Sequence, residues 1–398
     1  MKIVGLETIR AEELENLLWL QVETDEGIIG LGETYLMPKT VEAYVHEVIA
    51  PKLLGRDPLA IDRIAKDLNG YLGFRSSGAE VRGNSALDIA LWDIFGKVTG
   101  QSITQLLGGA SRERVRTYNT CGGPNYMRTA KGVNPGNWGM AETERYDDLN
   151  GFMTRAGELA EDLLSEGITA MKIWPFDPAA QKTDGQYISN EDLKAALEPF
   201  EKIRKAVGDK MDIMVEFHSM WQLVPAMTIA RALEPYNTFW HEDPIKMDSL
   251  ASLKRYAAVS PAPICASETI GTRWAFRDLL ETDAAGVIML DLSWCGGLSE
   301  ARKIAAMVEA WHLSIAPHDC TGPVVLTAST HLSLNAPNGL IQESVRAYYR
   351  TWYQDLVTAL PEVRDGYITA PPGPGLGLEL APDLDSKFTV ARQVSRLP

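Results

Sequence analysis

Two periodicities divide the chain. Over residues 1–35 apolar and polar positions alternate, and "DEGIIGLGE" at 25–33 carries the glycine-bearing turn of a β-hairpin. Residues 39–68 and 85–98 switch to helical spacing. In "SALDIALWDIFGKVTG", Ala86, Leu87, Ala90, Leu91 and Ile94 share one face, and Gly100 predicts the stop. Residues 1–114 therefore read as an α+β cap.

From residue 115 strand-like runs alternate with helix-like ones. The strands are expected at 115–120, 169–176, 211–217, 238–243, 263–268, 286–293, 313–319 and 339–344. Between them, "LSEARKIAAMVEAW" sets Ala301, Ile304, Ala305, Val308 and Trp311 on one face, with Ser299 as the expected N-cap. Eight strands with intervening helices predict a parallel (β/α)8 barrel of the TIM type over 115–355. An open doubly wound sheet is the competing architecture, but no glycine-rich phosphate loop follows any strand.

The strands close on titratable side chains: Lys172, Glu216, Glu242, Glu268, Asp291, His318 and Glu343. From Glu216 onward the separations are 26, 26, 23, 27 and 25 residues, about one β/α unit per step. In a barrel, strand ends that far apart in sequence converge at the C-terminal mouth. Leaving so many ionisable groups buried without partners is costly, so the set reads as a site. Glu216, Glu242 and Glu268 on adjacent strands cannot all stay ionised without a cation. An all-oxygen donor set selects a hard ion, Mg2+ with Mn2+ as a substitute. A carboxylate beside an imidazole fixes its tautomer, so Asp291 and His318 are the expected general-base pair. His241 faces away from Glu242, toward the helices, and reads as structural; His46, His312 and His331 carry no expected site role.

In "MVEFHS", Glu216 and His218 are two residues apart on one strand, so they point to the same side. An insert, 121–150, follows the first strand and is expected to overhang the mouth, where Arg128, Lys131 and Trp138 either touch the distal end of a substrate or stand exposed.

Composition narrows the partners. With 38 Lys and Arg against 53 Asp and Glu, the formal charge is −15, which argues against nucleic acid. The four cysteines form no CxxC pair, no apolar run reaches membrane-spanning length, and the first residues lack an apolar leader. The expectation is a cytoplasmic protein with no membrane partner.

The motifs "EFH" (216–218), "DLSWCGGLSE" (291–300), "APHDCTGP" (316–323) and "QES" (342–344), with the cap segments "GIIGLGE" and "ALDIALWDIFGKVTGQSITQLLGG", resemble the enolase superfamily. The likeness is to its mandelate racemase subgroup and, within it, to acid-sugar dehydratases of the galactonate dehydratase type. That resemblance implies a modified barrel with an N-terminal cap completed by residues 356–398, the proline-rich stretch 370–380 being the return path. It implies one Mg2+ per subunit on Glu216, Glu242 and Glu268, and His318 as base with Asp291. Lys172 would meet the substrate carboxylate, and Glu343 would donate to the enediolate. His218 would protonate the departing hydroxyl. Tyr35, Tyr71, Arg75 and Arg82 lie in the stretches that close over such sites. Assemblies from dimer to octamer are common in the family.

The activity implied is dehydration of a monocarboxylic sugar acid to a 2-keto-3-deoxy acid. Subgroup racemases carry Lys-x-Lys on the second barrel strand; here Trp174 stands in the second lysine's place, which favours elimination. There are two departures. Glu216 replaces the family's Asp, an extra methylene that would shift the metal or His218. Thr269 follows Glu268 where the family has Arg, which points to a substrate of different length or stereochemistry. Isomerisation, by an epimerase, racemase or lactone cycloisomerase, is the alternative. A non-catalytic binding protein is disfavoured by the complete triad and dyad. A binuclear metallohydrolase needs His-x-His on the first strand, and "TYNTCGG" has none.

Overall fold

The computed structural model describes residues 1–69, 78–128 and 145–397. Its N-terminal strands β1 (Ile3–Ala11), β2 (Leu17–Thr24) and β3 (Ile29–Tyr35) form an antiparallel meander. The helix Ala79–Thr99 lies across this sheet and ends at Gly100, whose φ of 66° gives the left-handed stop that the sequence predicts. The glycines of "GIIGLGE" explain how closely the two pack. A Cβ on Gly30 would stand 2.2 Å from the Ala90 carbonyl oxygen, and one on Gly32 1.8 Å from that of Ala86.

The helix expected over 39–68 is broken. It runs as Pro38–Tyr44, a π-turn Val45–Ile49 and Ala50–Leu53, and resumes at Ile61–Asn69. The break contains Gly55, at φ 84°, and Pro58, neither of which continues a helix.

All eight predicted barrel strands are present, the first with the expected bounds and the other seven shorter. They are β4 (Val115–Thr120), β5 (Ala170–Ile173), β6 (Asp212–Glu216), β7 (Trp240–Glu242), β8 (Ile264–Ala266), β9 (Val287–Leu290), β10 (Ser314–Pro317) and β11 (Gln342–Ser344). Neighbours pair in parallel from β4 through β10, and β11 pairs back onto β4. A single parallel bridge, Ile315 to Gly339, links β10 to the segment before β11 and completes the ring. After β11 come a one-turn α-helix, Arg346–Tyr349, and a 3-10 turn, Trp352–Asp355, so the eighth unit lacks a full helix. Two short strands follow, β12 (Glu362–Arg364) and β13 (Tyr367–Thr369), the latter antiparallel to β4.

The tail then runs past the end of the cap helix. Gly375 exchanges backbone hydrogen bonds with Gln101 and Ile103, and Leu376 N–H donates to Asp93. It ends as β14 (Val390–Arg396), antiparallel to β1, which gives the cap sheet the order β14-β1-β2-β3. Among the described residues no helix is long and apolar enough to cross a membrane.

The barrel has its own small apolar interior of Tyr118, Ala170, Met214, Trp240, Cys265, Met289, Ala316 and Ile341, with Val287. Strand alternation turns that floor directly into a site. Two residues beyond seven of these positions stand Thr120, Lys172, Glu216, Glu242, Asp291, His318 and Glu343, each on the inner side and one layer nearer the mouth.

One expectation fails at the helix after β9, Leu298–Ala310. Gly297 precedes it and Ser299 lies inside its first turn. The cap performs the capping instead: Asp88 accepts the Ser299 N–H at 2.8 Å, while the Ser299 hydroxyl accepts from the Trp92 indole.

Candidate active site

The inner strand ends bring a dense ionic cluster to the mouth. Carboxylate oxygens of Glu216, Glu242 and Glu268 lie within 4.8 Å of one another. Lys172 Nζ reaches all the near acids, at 2.5 Å from Glu242, 2.9 Å from Glu343 and 3.5 Å from Glu216. Burial, then mutual repulsion, pushes the carboxyls of Glu216, Glu242 and Glu268 above the usual range. A single ammonium against four carboxylates leaves the cluster short of positive charge. A hard divalent cation held by the three oxygen donors fits this deficit.

On one side stands His318, at the end of β10. Its Nδ1 is 2.7 Å from Asp291 Oδ2, and its Nε2 is 3.0 Å from Glu268 Oε2. Burial alone would lower the ring's pKa, but Glu268, Glu343 and Asp291 outweigh it and raise it well above the ordinary value. Trp294 packs against the imidazole with ring centroids 5.2 Å apart.

On the other side stands His218, just past β6. The barrel order runs from β4 to β11, so β6 and β10 are its third and seventh strands and face each other across the mouth. His218 Nδ1 is 2.6 Å from Asp177 Oδ2, and its backbone N–H donates to Glu216 at 2.6 Å. Burial would again lower the ring's pKa, but Asp177 and Glu216 push it up to about 10.

Glu343 is arranged as an acceptor, where the resemblance implies a donor. It accepts from the Thr120 hydroxyl and, at 2.7 Å, from the Asp319 N–H. Against its burial, Lys172 and His318 hold it below the usual carboxylate range.

A cavity of 430 Å³ joins these groups. Its described lining includes Lys172, Glu216, Glu268, Glu343, His218 and His318, together with Thr120, Trp174, Trp294 and Cys320. Tyr35 enters from the cap, and Tyr126 and Met127 enter from the insert. A larger space of 1020 Å³ lies between the cap helices and the segment around Trp274, away from this chemistry.

The other expected contacts are placed as follows. Trp174 lines the cavity and is wedged between Tyr126 and Phe152, each 5.2 Å away. Tyr35 also lines it, but its hydroxyl donates to the Met127 carbonyl at 2.6 Å, tying the cap to the insert. Arg82 stands behind the wall: its guanidinium stacks 4.3 Å from the Trp294 ring and donates to the Tyr35 carbonyl at 2.5 Å. Arg128 stacks on Trp352, outside the described lining of the cavity. Tyr71, Arg75, Lys131 and Trp138 lie outside the described residues. His241, as expected, faces the helices, where Thr238, Tyr256 and Ser260 surround its ring.

Sequence reasoning missed Asp177, Thr120, Trp294, Tyr126 and Met127. Thr120 was within reach, because it continues the inner-face alternation of β4 from Tyr118. Asp177 opens the helix Asp177–Thr183 after β5 has ended, where no alternation marks it.

Comparison with known proteins agrees with this geometry. Residues 8–108 match the family model described as the mandelate racemase / muconate lactonizing enzyme N-terminal domain, and residues 155–384 match the enolase C-terminal domain-like model. A D-galactonate dehydratase of Ralstonia nicotianae is 31% identical over 402 residues, covering 99% of this chain and 95% of that protein. A crystal structure of an enolase of the mandelate racemase subgroup from Agrobacterium tumefaciens, with a succinimide residue, is 69% identical. It superposes with a TM-score of 0.89 over 100% of this chain and 99% of that one. An enolase protein from the Sargasso Sea environmental genome is 44% identical, with a TM-score of 0.88 over 100% and 99% of the two chains.

Proposed function

Because the chain belongs to the mandelate racemase / muconate lactonizing enzyme family of enolase-like proteins, we propose that it dehydrates a monocarboxylic sugar acid to a 2-keto-3-deoxy acid. The observation that carries this reading is the pair of carboxylate-backed imidazoles on opposite walls of one cavity, above an acidic trio. Named D-galactonate dehydratases at about a third identity support the class of substrate.

Glu216, Glu242 and Glu268 would hold Mg2+, or Mn2+ in its place; when bound, it offsets the negative charge that builds on the substrate carboxylate as C2 loses its proton. The remaining work falls to side chains. Lys172 sits among the acids and supplies the ammonium nearest the substrate carboxylate. His318 takes the C2 proton at Nε2, with Asp291 holding Nδ1. Glu268 lies 3.0 Å from Nε2, so the carboxylate that would hold the cation also borders the base. His218 then delivers a proton to the C3 hydroxyl as water leaves, from the wall facing His318. Glu343, ionised and fixed by Thr120 and Asp319, orients Lys172. Trp174, Trp294, Tyr35 and Tyr126 exclude water from the reacting carbons.

A second reading rests on the same observation. Two imidazoles on opposite walls also suit an epimerase, with one removing the C2 proton and the other returning it to the opposite face. Product chemistry separates the two. Incubated with Mg2+ and a panel of aldonic acids, the protein is expected to give a semicarbazide-reactive keto acid from at least one, and none after chelation. C2 inversion without keto acid would select the epimerase.

A further inference from the structure

Asp177 has so far been given no step of its own beyond standing behind His218, yet its surroundings are unusual for a structural carboxylate. Its side chain is 1% exposed, and one oxygen, Oδ2, lies 2.6 Å from His218 Nδ1. The other, Oδ1, is buried with no hydrogen-bond partner among the described residues. Burying a carboxylate in that way is costly, and the His218 contact is what it obtains in return.

His218 is itself held on every side. Its φ of 49° lies in the left-handed region, as does the 56° of Ser219, so the backbone turns sharply after β6. Its N–H is anchored on Glu216, and its ring meets Trp174 edge to face at 5.6 Å. With Nδ1 on Asp177, Nε2 is the ring nitrogen left for the cavity that His218 lines. The arrangement repeats that of Asp291 and His318, at nearly the same distance, four strands around the barrel.

We propose that Asp177 is the positioning residue of a second carboxylate–imidazole pair, fixing the His218 ring with Nε2 toward the C3 hydroxyl. This rests on the dehydratase reading for the identity of the reacting group, though not for the pair itself. Asp177 acts through His218 and touches no substrate, and its effect belongs on the elimination step alone.

The test uses the full-length protein with Mg2+ and a sugar acid it dehydrates. Asp177→Asn, His218→Asn and the double variant are compared for kcat, KM and exchange of the C2 hydrogen in heavy water. Asp177→Asn is expected to lower kcat for dehydration on the order of 10- to 100-fold. KM should change little, C2 exchange should persist, and the melting temperature should hold. The double variant should be no slower than His218→Asn, because the two residues act as one unit. Wild-type kcat in Asp177→Asn, or a double variant ten times slower than His218→Asn, overturns the proposal. So does a parallel loss of exchange and dehydration in Asp177→Asn.

Imidazole 15N spectra of histidine-labelled protein judge the pair without any turnover. A hydrogen-bonded Nδ1–H signal should vanish in both His218→Asn and Asp177→Ala, and its survival in Asp177→Ala overturns the pair. C2 exchange without water loss in the wild type would sink the dehydratase reading instead, leaving the spectra to decide the pair.

Discussion

At the scale of single residues, burial decides what each titratable group does. His331 shows it away from the site. Its ring is buried, facing the Thr104 hydroxyl at 2.7 Å and the Leu376 carbonyl at 3.2 Å. A neutral imidazole with Nε2–H satisfies both, and burial lowers the pKa to about 4 against the pull of that carbonyl. Unfolded, the residue titrates near 6.5. Between those values the unfolded chain binds a proton that the folded one refuses, so stability falls as pH drops through that window. The slope is about 1.4 kcal/mol per pH unit, roughly 3 kcal/mol in all. The melting temperature of His331→Gln should therefore fall less steeply than wild type from pH 7 to pH 4.5, and equal slopes would refute this. The chemistry-bearing residues were legible for a simple reason: the alternation of inner and outer positions continues from the apolar floor into Glu216, Glu242, Asp291 and His318. It does not extend to Asp177, which sits on a helix turn, or to Tyr126 and Met127, which come from an irregular segment. Those contacts depend on tertiary folding and leave no periodic trace.

Among elements, the cap's main work is to hold the two loops that carry the base pair. Glu33 of β3 reaches the start of the helix Pro323–Asn335, beyond His318, and accepts the N–H groups of Val324 at 3.1 Å and Val325 at 2.9 Å. It also accepts the Trp19 indole at 2.7 Å. The Thr34 hydroxyl donates to the Ser293 carbonyl and Ser85 accepts the Gly296 N–H, both in the loop after Asp291, and Asp88 accepts the Ser299 N–H in the first turn of the helix that follows. Burial pushes the Glu33 carboxyl up to about 8, so its worth lies in accepting hydrogen bonds more than in its charge. Glu33→Gln keeps one acceptor oxygen but turns an amide NH2 toward a donor, and should lose about 1–2 kcal/mol in urea denaturation, whereas Glu33→Leu should lose about 3 kcal/mol by orphaning all three buried donors. Equal losses would contradict that account. Gly32→Ala should be worse tolerated than either, because its Cβ meets helix backbone that cannot swing aside; a urea midpoint near wild type would show otherwise. This also explains why Ser299 misled as a cap: the partner that satisfies the helix start is some 200 residues away in sequence, on the other domain.

For the molecule as a whole, a cation held by the acidic cluster would make folding and binding interdependent. An ion that binds only the folded protein stabilises it, by about 2.7 kcal/mol at a hundred times its dissociation constant. Millimolar Mg2+ should raise the melting temperature of wild type and shift that of Glu242→Gln much less; identical shifts would place the ion elsewhere. The barrel, the cap and the strand-end site were all legible from periodicity and spacing. The return of the tail to the cap came from the family resemblance and not from periodicity; its register on β1 and the broken cap helix depend on long-range pairing and on Gly55, and only the fold displays them.

The central claim is a division of labour between two opposed imidazoles, and the most direct test follows both half-reactions in one tube. Wild type, His318→Asn and His218→Asn are incubated in heavy water with Mg2+ and a sugar acid that the wild type dehydrates. Proton NMR then scores C2 deuterium in the remaining substrate and the appearance of keto acid. The account predicts that His318→Asn loses both signals, while His218→Asn loses keto acid and keeps C2 exchange. Keto acid formed at the wild-type rate by His218→Asn, or C2 exchange undiminished in His318→Asn, would contradict it.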